Sequence, residues 1–173
     1  MERLFEMDLH DYDPGDQVYS RPSARGVILM ENKTIALVFS KKENYYKFPG
    51  GGIRKGEDPR CALMREVQEE TGLLVVPESI KEFGSVLRRQ KSTDAPHTVF
   101  EQENFYFLCS IGTQRTSQNL DVYEAEAEFM LRIVLIDEAI ETNSAYKSEN
   151  FFDQIMIARE EKVLRLIRER LCR

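Results

Sequence analysis

Three glutamates, Glu66, Glu69 and Glu70, stand at i, i+3 and i+4 in a helix-forming stretch, so their carboxylates share one face. Like charges held that close repel one another and weaken an isolated helix. A hard divalent cation with oxygen ligands turns that repulsion into a binding site. Arg65 lies beside the cluster, where a guanidinium can hold a carboxylate by a charge-assisted hydrogen bond. Upstream, Gly50-Gly51-Gly52 presents backbone without β-carbons, so bare carbonyls can approach the same cation. Such a set can neutralise anionic oxygens and activate water. A glutamate-rich face in a chain with 30 acidic residues is ordinarily only solvated, so its surroundings must carry the argument.

Those surroundings have a readable order. Asp58-Pro59 is a helix start, with an N-cap carboxylate and proline in the first turn; Gly72 supplies the stop after Thr71. Before it, the branched runs Gly26–Met30 and Ile35–Phe39 flank Glu31-Asn32-Lys33 and predict a β-hairpin. Further strands are expected at Phe83–Arg89, Asn104–Cys109 and Phe129–Ile136, and a short helix at Asp137–Glu141. From Phe151 onward, Ile155, Met156, Val163, Leu166 and Ile167 recur near helical spacing among Arg and Glu, which predicts an amphipathic helix docked on the body over residues 148–173. Residues 1–20 are polar and acidic, and Asp13-Pro14-Gly15-Asp16 reads as a turn. No repeat or linker divides the chain, so residues 1–173 are read as one domain of mixed α/β (α+β) class, helices covering a curved mixed sheet.

The spacing across Gly51–Leu73 is more specific than the cluster alone. Gly51, five residues, Glu57, seven residues, then Arg65-Glu66-Val67-x-Glu69-Glu70-x-Gly72-Leu73 resembles the signature of the Nudix hydrolase family at every fixed position. The resemblance implies an α/β/α sandwich that hydrolyses a phosphoanhydride bond in a nucleoside diphosphate linked to another moiety. It implies magnesium or manganese held by Glu66, Glu69 and Glu70 with the Gly51 carbonyl. Arg65 would orient a glutamate, and Glu57 would act through metal-bound water or a salt bridge; the catalytic set is Arg65, Glu66 and Glu69. On this reading, replacing Glu69 or Glu70 by Gln abolishes most activity and leaves the fold intact, or slightly stabilised without metal, because a repulsive charge is lost. The base in similar proteins is a box glutamate or one on a later loop. Here Glu124, Glu126 and Glu128 precede Phe129, and Glu126 stands as the loop candidate.

Specificity lies outside the box. Arg88 and Arg89 in the Arg-Arg-Gln-Lys cluster can grip a terminal phosphate or second substituent. Tyr45, Tyr46, Phe105 and Tyr106 can stack a base, although Phe105 and Phe107 alternate as strand core does. His97 lies in a polar loop. The proline or tyrosine that marks ADP-ribose and dinucleoside polyphosphate subgroups is not evident in Lys81–Gln90.

Composition bounds the partners. A net charge of −6 argues against nucleic acid and anionic membrane, leaving a small nucleotide-type substrate. Three scattered cysteines without CxxC spacing, and a charged Met1–His10 stretch, point to a reducing cytoplasm. No apolar run reaches membrane-span length. Dimers are frequent among similar proteins, so a homodimer is an expected assembly. Two other classes compete with a small-nucleotide hydrolase. A non-catalytic nucleotide-sensing module predicts a broken box or an attached DNA-binding domain; an RNA 5′-end pyrophosphohydrolase predicts a basic face.

Overall fold

The structure, a computed structural model, describes residues 1–172. In chain order the strands are β1 (Arg3–Asp8), β2 (Gln17–Ser20), β3 (Ser23–Leu29), β4 (Thr34–Ser40), β5 (Tyr45–Lys47), β6 (Gly50–Gly52), β7 (Leu73–Val75), β8 (Lys81–Lys91), β9 (Thr98–Leu108), β10 (Ile111–Arg115) and β11 (Phe129–Leu135). The helices are α1 (Pro59–Thr71), α2 (Val122–Glu126), α3 (Ile136–Ala145) and α4 (Phe151–Leu171). Nine strands make one mixed sheet with the main order β1-β8-β9-β3-β4-β11, and β7 and β10 form a separate pair. The predicted hairpin is β3–β4, antiparallel through Ile28↔Ala36 and Leu29↔Ile35.

Alternation along the central strands assigns the two faces. Val27, Ile35 and Leu37 face α3 and α4, in a cluster with Val86, Val134, Ile140, Val163, Leu164 and Ile167. Ala24, Ile28 and Ala36 face α1, where they meet Ala62, Leu63 and Val67. Helices therefore cover both faces, and the expected mixed sandwich is the observed one.

The first twenty residues depart from the turn-rich reading. They contribute two strands, both parallel to partners far along the chain: β1 to β8 through Phe5↔Val86, and β2 to β9 through Gln17↔Thr98. Leu4 and Phe5 pack against the α3/α4-side core. Pairing across some eighty positions leaves no local signature, because each segment alone is too polar to read as a strand. β2 and β3 lie end to end along β9, separated by Arg21-Pro22.

Candidate active site

Local chemistry fixes the box helix, α1. The Asp58 side chain accepts from the backbone N–H of Arg60 at 2.8 Å and Cys61 at 3.4 Å, and Gly72 closes the helix in the left-handed region at φ 71°. Ala62, Leu63 and Val67 are fully buried. Burying each of the two larger chains contributes about 1.5–3 kcal/mol. That anchored stripe leaves Arg65, Glu66 and Glu69 on the partly open side.

Arg65 is the hub. Its Nε donates to Glu57 Oε1 at 2.9 Å, and Nη2 reaches Glu57 Oε2 at 2.9 Å and the Gly52 carbonyl at 3.1 Å. Nη1 reaches Glu66 at 2.5 Å and Glu69 at 3.1 Å. The Arg65 hydrogen bond holds the Glu57 carboxyl down at about 2. Glu66 behaves oppositely, because burial outweighs Arg65 and pushes its carboxyl up. A β-carbon at Gly51 would collide with the Glu66 carboxylate, so only glycine lets that carboxylate lie against the turn.

Glu70 faces inward and is 1% exposed. Its carboxylate accepts from Lys47 Nζ at 2.7 Å and from the Gly50 N–H at 2.8 Å, tying β5 and the glycine turn to α1. A second latch holds the same turn from the other face. Glu160 of α4 accepts from the Phe48 N–H at 2.7 Å and from the Tyr106 hydroxyl at 3.2 Å, and pairs with Arg159 at 2.7 Å.

Two cavities meet at this point. One, of about 230 Å³, is lined by Lys47, Glu66, Glu70, Arg88 and Arg159, among others; its neighbour, about 340 Å³, is lined by Arg65, Glu66, Glu69 and Asn119. Glu66, Asp121 and Glu124 line both. The loop carrying Glu124 is fastened to the end of α1. Thr116 N–H donates to the Gly72 carbonyl at 2.9 Å and Asn119 N–H to the Glu69 carbonyl at 2.8 Å, while the Gln118 amide donates to the Glu70 carbonyl. Asp121 caps α2 in a reciprocal box with Glu124. Burial pushes the Glu124 carboxyl up to about 7, and the Glu70 charge adds to the rise.

The sequence-derived residues therefore divide. Gly51, Arg65, Glu66, Glu69 and Glu70 gather around the two cavities. Glu126 does not join them: it lines a separate cavity with Tyr45, Tyr123 and Asp153, and Glu128 pairs with Lys41 at 3.4 Å. Two positions along a helix turn Glu126 roughly 200° from Glu124 around the axis, which sends the two to opposite sides. The Asp121-x-x-Glu124 capping pattern was the available signal for α2. Arg88 and Arg89 also part, since consecutive strand residues point to opposite faces. Arg88 lines the inner cavity, whereas Arg89 pairs with Glu101 at 2.8 Å. Tyr45, Tyr46 and Tyr106 are buried, with Tyr46 and Tyr106 in the core packed by α3 and α4, so none of the three stacks on a ligand as placed. His97 is exposed beside Asp16 at 3.5 Å. Lys47, Arg25 and Arg159 line the inner cavity without a sequence cue.

Among the described residues, no three acidic, imidazole or thiol groups stand together as a ready-made metal cluster; the carboxylates face Arg65 and Lys47 instead. The donor set is nevertheless all oxygen, crowded and acidic, with Glu66 closed against Gly51, and that chemistry fits a hard divalent cation.

The NUDIX domain model matches residues 20–155 of the chain. The chain belongs to the Nudix family. Gly51–Leu73 is its Nudix box, and members of the family generally use divalent metals on nucleotide-type substrates. An RNA pyrophosphohydrolase of Roseobacter denitrificans is 43% identical over 51 residues, a match spanning 28% of this chain and 32% of that protein. Two solved structures share the fold. The NUDIX hydrolase from Nitrosomonas europaea aligns with a TM-score of 0.52 and 19% identity, over 82% of this chain and 89% of its own. The MutT protein from Bacillus halodurans aligns with a TM-score of 0.54 and 17% identity, over 80% of each chain. No helix among the described residues is long and apolar enough to cross a membrane.

Proposed function

We propose that this Nudix protein hydrolyses a phosphoanhydride bond in a nucleoside diphosphate linked to another group, with magnesium or manganese at the box. The observation that carries the reading is the meeting of two cavities at Glu66 and Glu124, beside an intact box whose carboxylates are gathered by Arg65. Glu66, Glu69, Glu70 and the Gly51 carbonyl would hold the cation, which supplies charge neutralisation of the diphosphate and a more acidic water. Arg65 keeps Glu57, Glu66 and Glu69 pre-positioned, so little reorganisation is needed at reaction. Lys47 and the Gly50 N–H hold Glu70 from behind. Glu124, facing the box from the loop, takes the role of base that positions or deprotonates the attacking water.

The name of the Roseobacter relative brings RNA into the range of substrates, against the expectation of no nucleic acid. That expectation rested on a net charge of −6, which averages the whole surface. At the inner cavity itself, Arg21, Arg25, Lys47, Arg88 and Arg159 stand beside the carboxylates Glu66, Glu70, Asp121 and Glu124. The test is a release assay with magnesium and then manganese, products identified by mass. Its panel holds ADP-ribose, nucleotide sugars, dinucleoside polyphosphates, normal and oxidised nucleoside triphosphates and a 5′-triphosphorylated oligoribonucleotide. Metal-dependent cleavage at a phosphoanhydride supports the reading and names the substrate. Silence across the panel, with metal binding intact, would return the protein to a nucleotide-sensing role.

A further inference from the structure

Arg88 is 0% exposed, yet no carboxylate pairs with it among the described residues. Its Nε donates to Gln90 Oε1 at 2.8 Å and Nη2 to the Phe152 carbonyl at 3.4 Å, while Nη1 has no hydrogen-bond partner. The Phe152 ring lies 4.0 Å from the guanidinium and Phe100 5.8 Å. Neighbouring arginines are neutralised differently: Arg159 by Glu160 and Arg89 by Glu101. Asp153 acts on the guanidinium only from beyond pairing distance. A buried guanidinium without a directly paired carboxylate is costly, and a planar donor fork with a free edge matches phosphoryl oxygens. That free edge belongs to a residue lining the same 230 Å³ cavity as Glu66, Glu70 and Lys47.

We propose that Arg88 receives a phosphoryl group of the substrate beyond the diphosphate at the box. The proposal rests on the hydrolase reading of this site and narrows it. The preferred substrate carries a phosphoryl group past the cleaved linkage, as a nucleoside triphosphate or polyphosphate does. A nucleotide sugar offers a neutral moiety there and leaves the guanidinium without a directly paired anion. Gln90 and Phe152 act as positioning residues that hold the fork in place.

The test has two arms. In the first, thermal unfolding is followed with EDTA present while inorganic phosphate is titrated against acetate at equal ionic strength. Wild type and Glu69→Gln should be stabilised by phosphate more than by acetate, and Arg88→Met should lose that difference. Arg88→Lys, which keeps the charge without the fork, should respond weakly, and it serves if the methionine variant fails to fold. No phosphate-specific response in wild type, or a full response in either Arg88 variant, overturns the proposal. In the second arm, the kcat/KM of a nucleoside triphosphate is divided by that of a nucleoside diphosphate sugar. Arg88→Met should lower this ratio about tenfold or more, the scale of one charge-assisted contact. A ratio unchanged by the substitution, or a wild type that favours the sugar, contradicts it. Absence of turnover in wild type sinks the hydrolase reading instead and leaves the phosphate arm readable.

Discussion

Glu69 and Glu70 are neighbours in the box, but they occupy different surroundings, so one substitution does two things. The Glu69 side chain is 30% exposed and touches Arg65 at 3.1 Å. Its replacement by Gln should remove activity while costing less than about 1 kcal/mol of stability, because a partly solvated ion pair contributes little. The Glu70 side chain is 1% exposed and neutralises Lys47, itself 10% exposed. Glu70→Gln leaves that ammonium buried and unpaired, at a cost of roughly 3 kcal/mol. Glu70→Gln is therefore predicted to weaken the fold more than Glu69→Gln, a distinction that the shared helix face alone does not make. Urea unfolding of the two variants checks this, and equal midpoints would contradict it. The face shared by the glutamates was legible from spacing. Which of them is buried was not, because Lys47 arrives from β5, twenty-three positions earlier.

At the scale of elements, the glycine turn is held between two helices: α1 grips it through Glu70 and α4 through Glu160. Glu160 is buried beside Arg159; burial pushes its carboxyl up, but Arg159, Arg25 and the Phe48 N–H outweigh that and hold it below its ordinary value. A carboxyl lowered in the folded state contributes stability above its unfolded value near 4.5, and that part is lost as pH falls through the folded value. Glu160→Gln should therefore be less stable than wild type at pH 7, by about 3 kcal/mol. The gap should narrow below pH 4.5, since wild type alone loses the charge. Chemical denaturation across pH 7 to 3 measures it, and a gap independent of pH would contradict the latch. Helix α1 was readable because its cap, proline and terminal glycine are all local. Strands β1 and β2 were not, because their partners lie far along the chain. α2 is five residues long and shows no apolar period, so its inward carboxylate could not be separated from Glu126 without the loop's attachment to α1.

For the whole molecule, the apolar branched runs of β3 and β4 and the helices set among further strands carried the sandwich, and the box carried the family. Net charge says little about the site, because a sum over the chain does not report the basic and acidic side chains that share one cavity. The three cysteines report on the same architecture. Cys61 is exposed on α1, whereas Cys109 is buried and its thiol is pushed up to about 12 by burial. A thiol reagent at pH 8 should label Cys61 at once and reach Cys109 only when the sandwich opens. Labelling of Cys109 at the rate of Cys61 in the native protein, followed by peptide mass, would contradict the packing around β9. The most direct test of the central claim, that the box carboxylates hold the cation, is Mn2+ titration followed by electron paramagnetic resonance on wild type and Glu69→Gln. Wild type should bind Mn2+ saturably, and Glu69→Gln should bind it at least about tenfold more weakly, as loss of a charged oxygen ligand requires. Equal Mn2+ affinity in the two proteins would place the cation elsewhere and remove the basis of the hydrolytic mechanism.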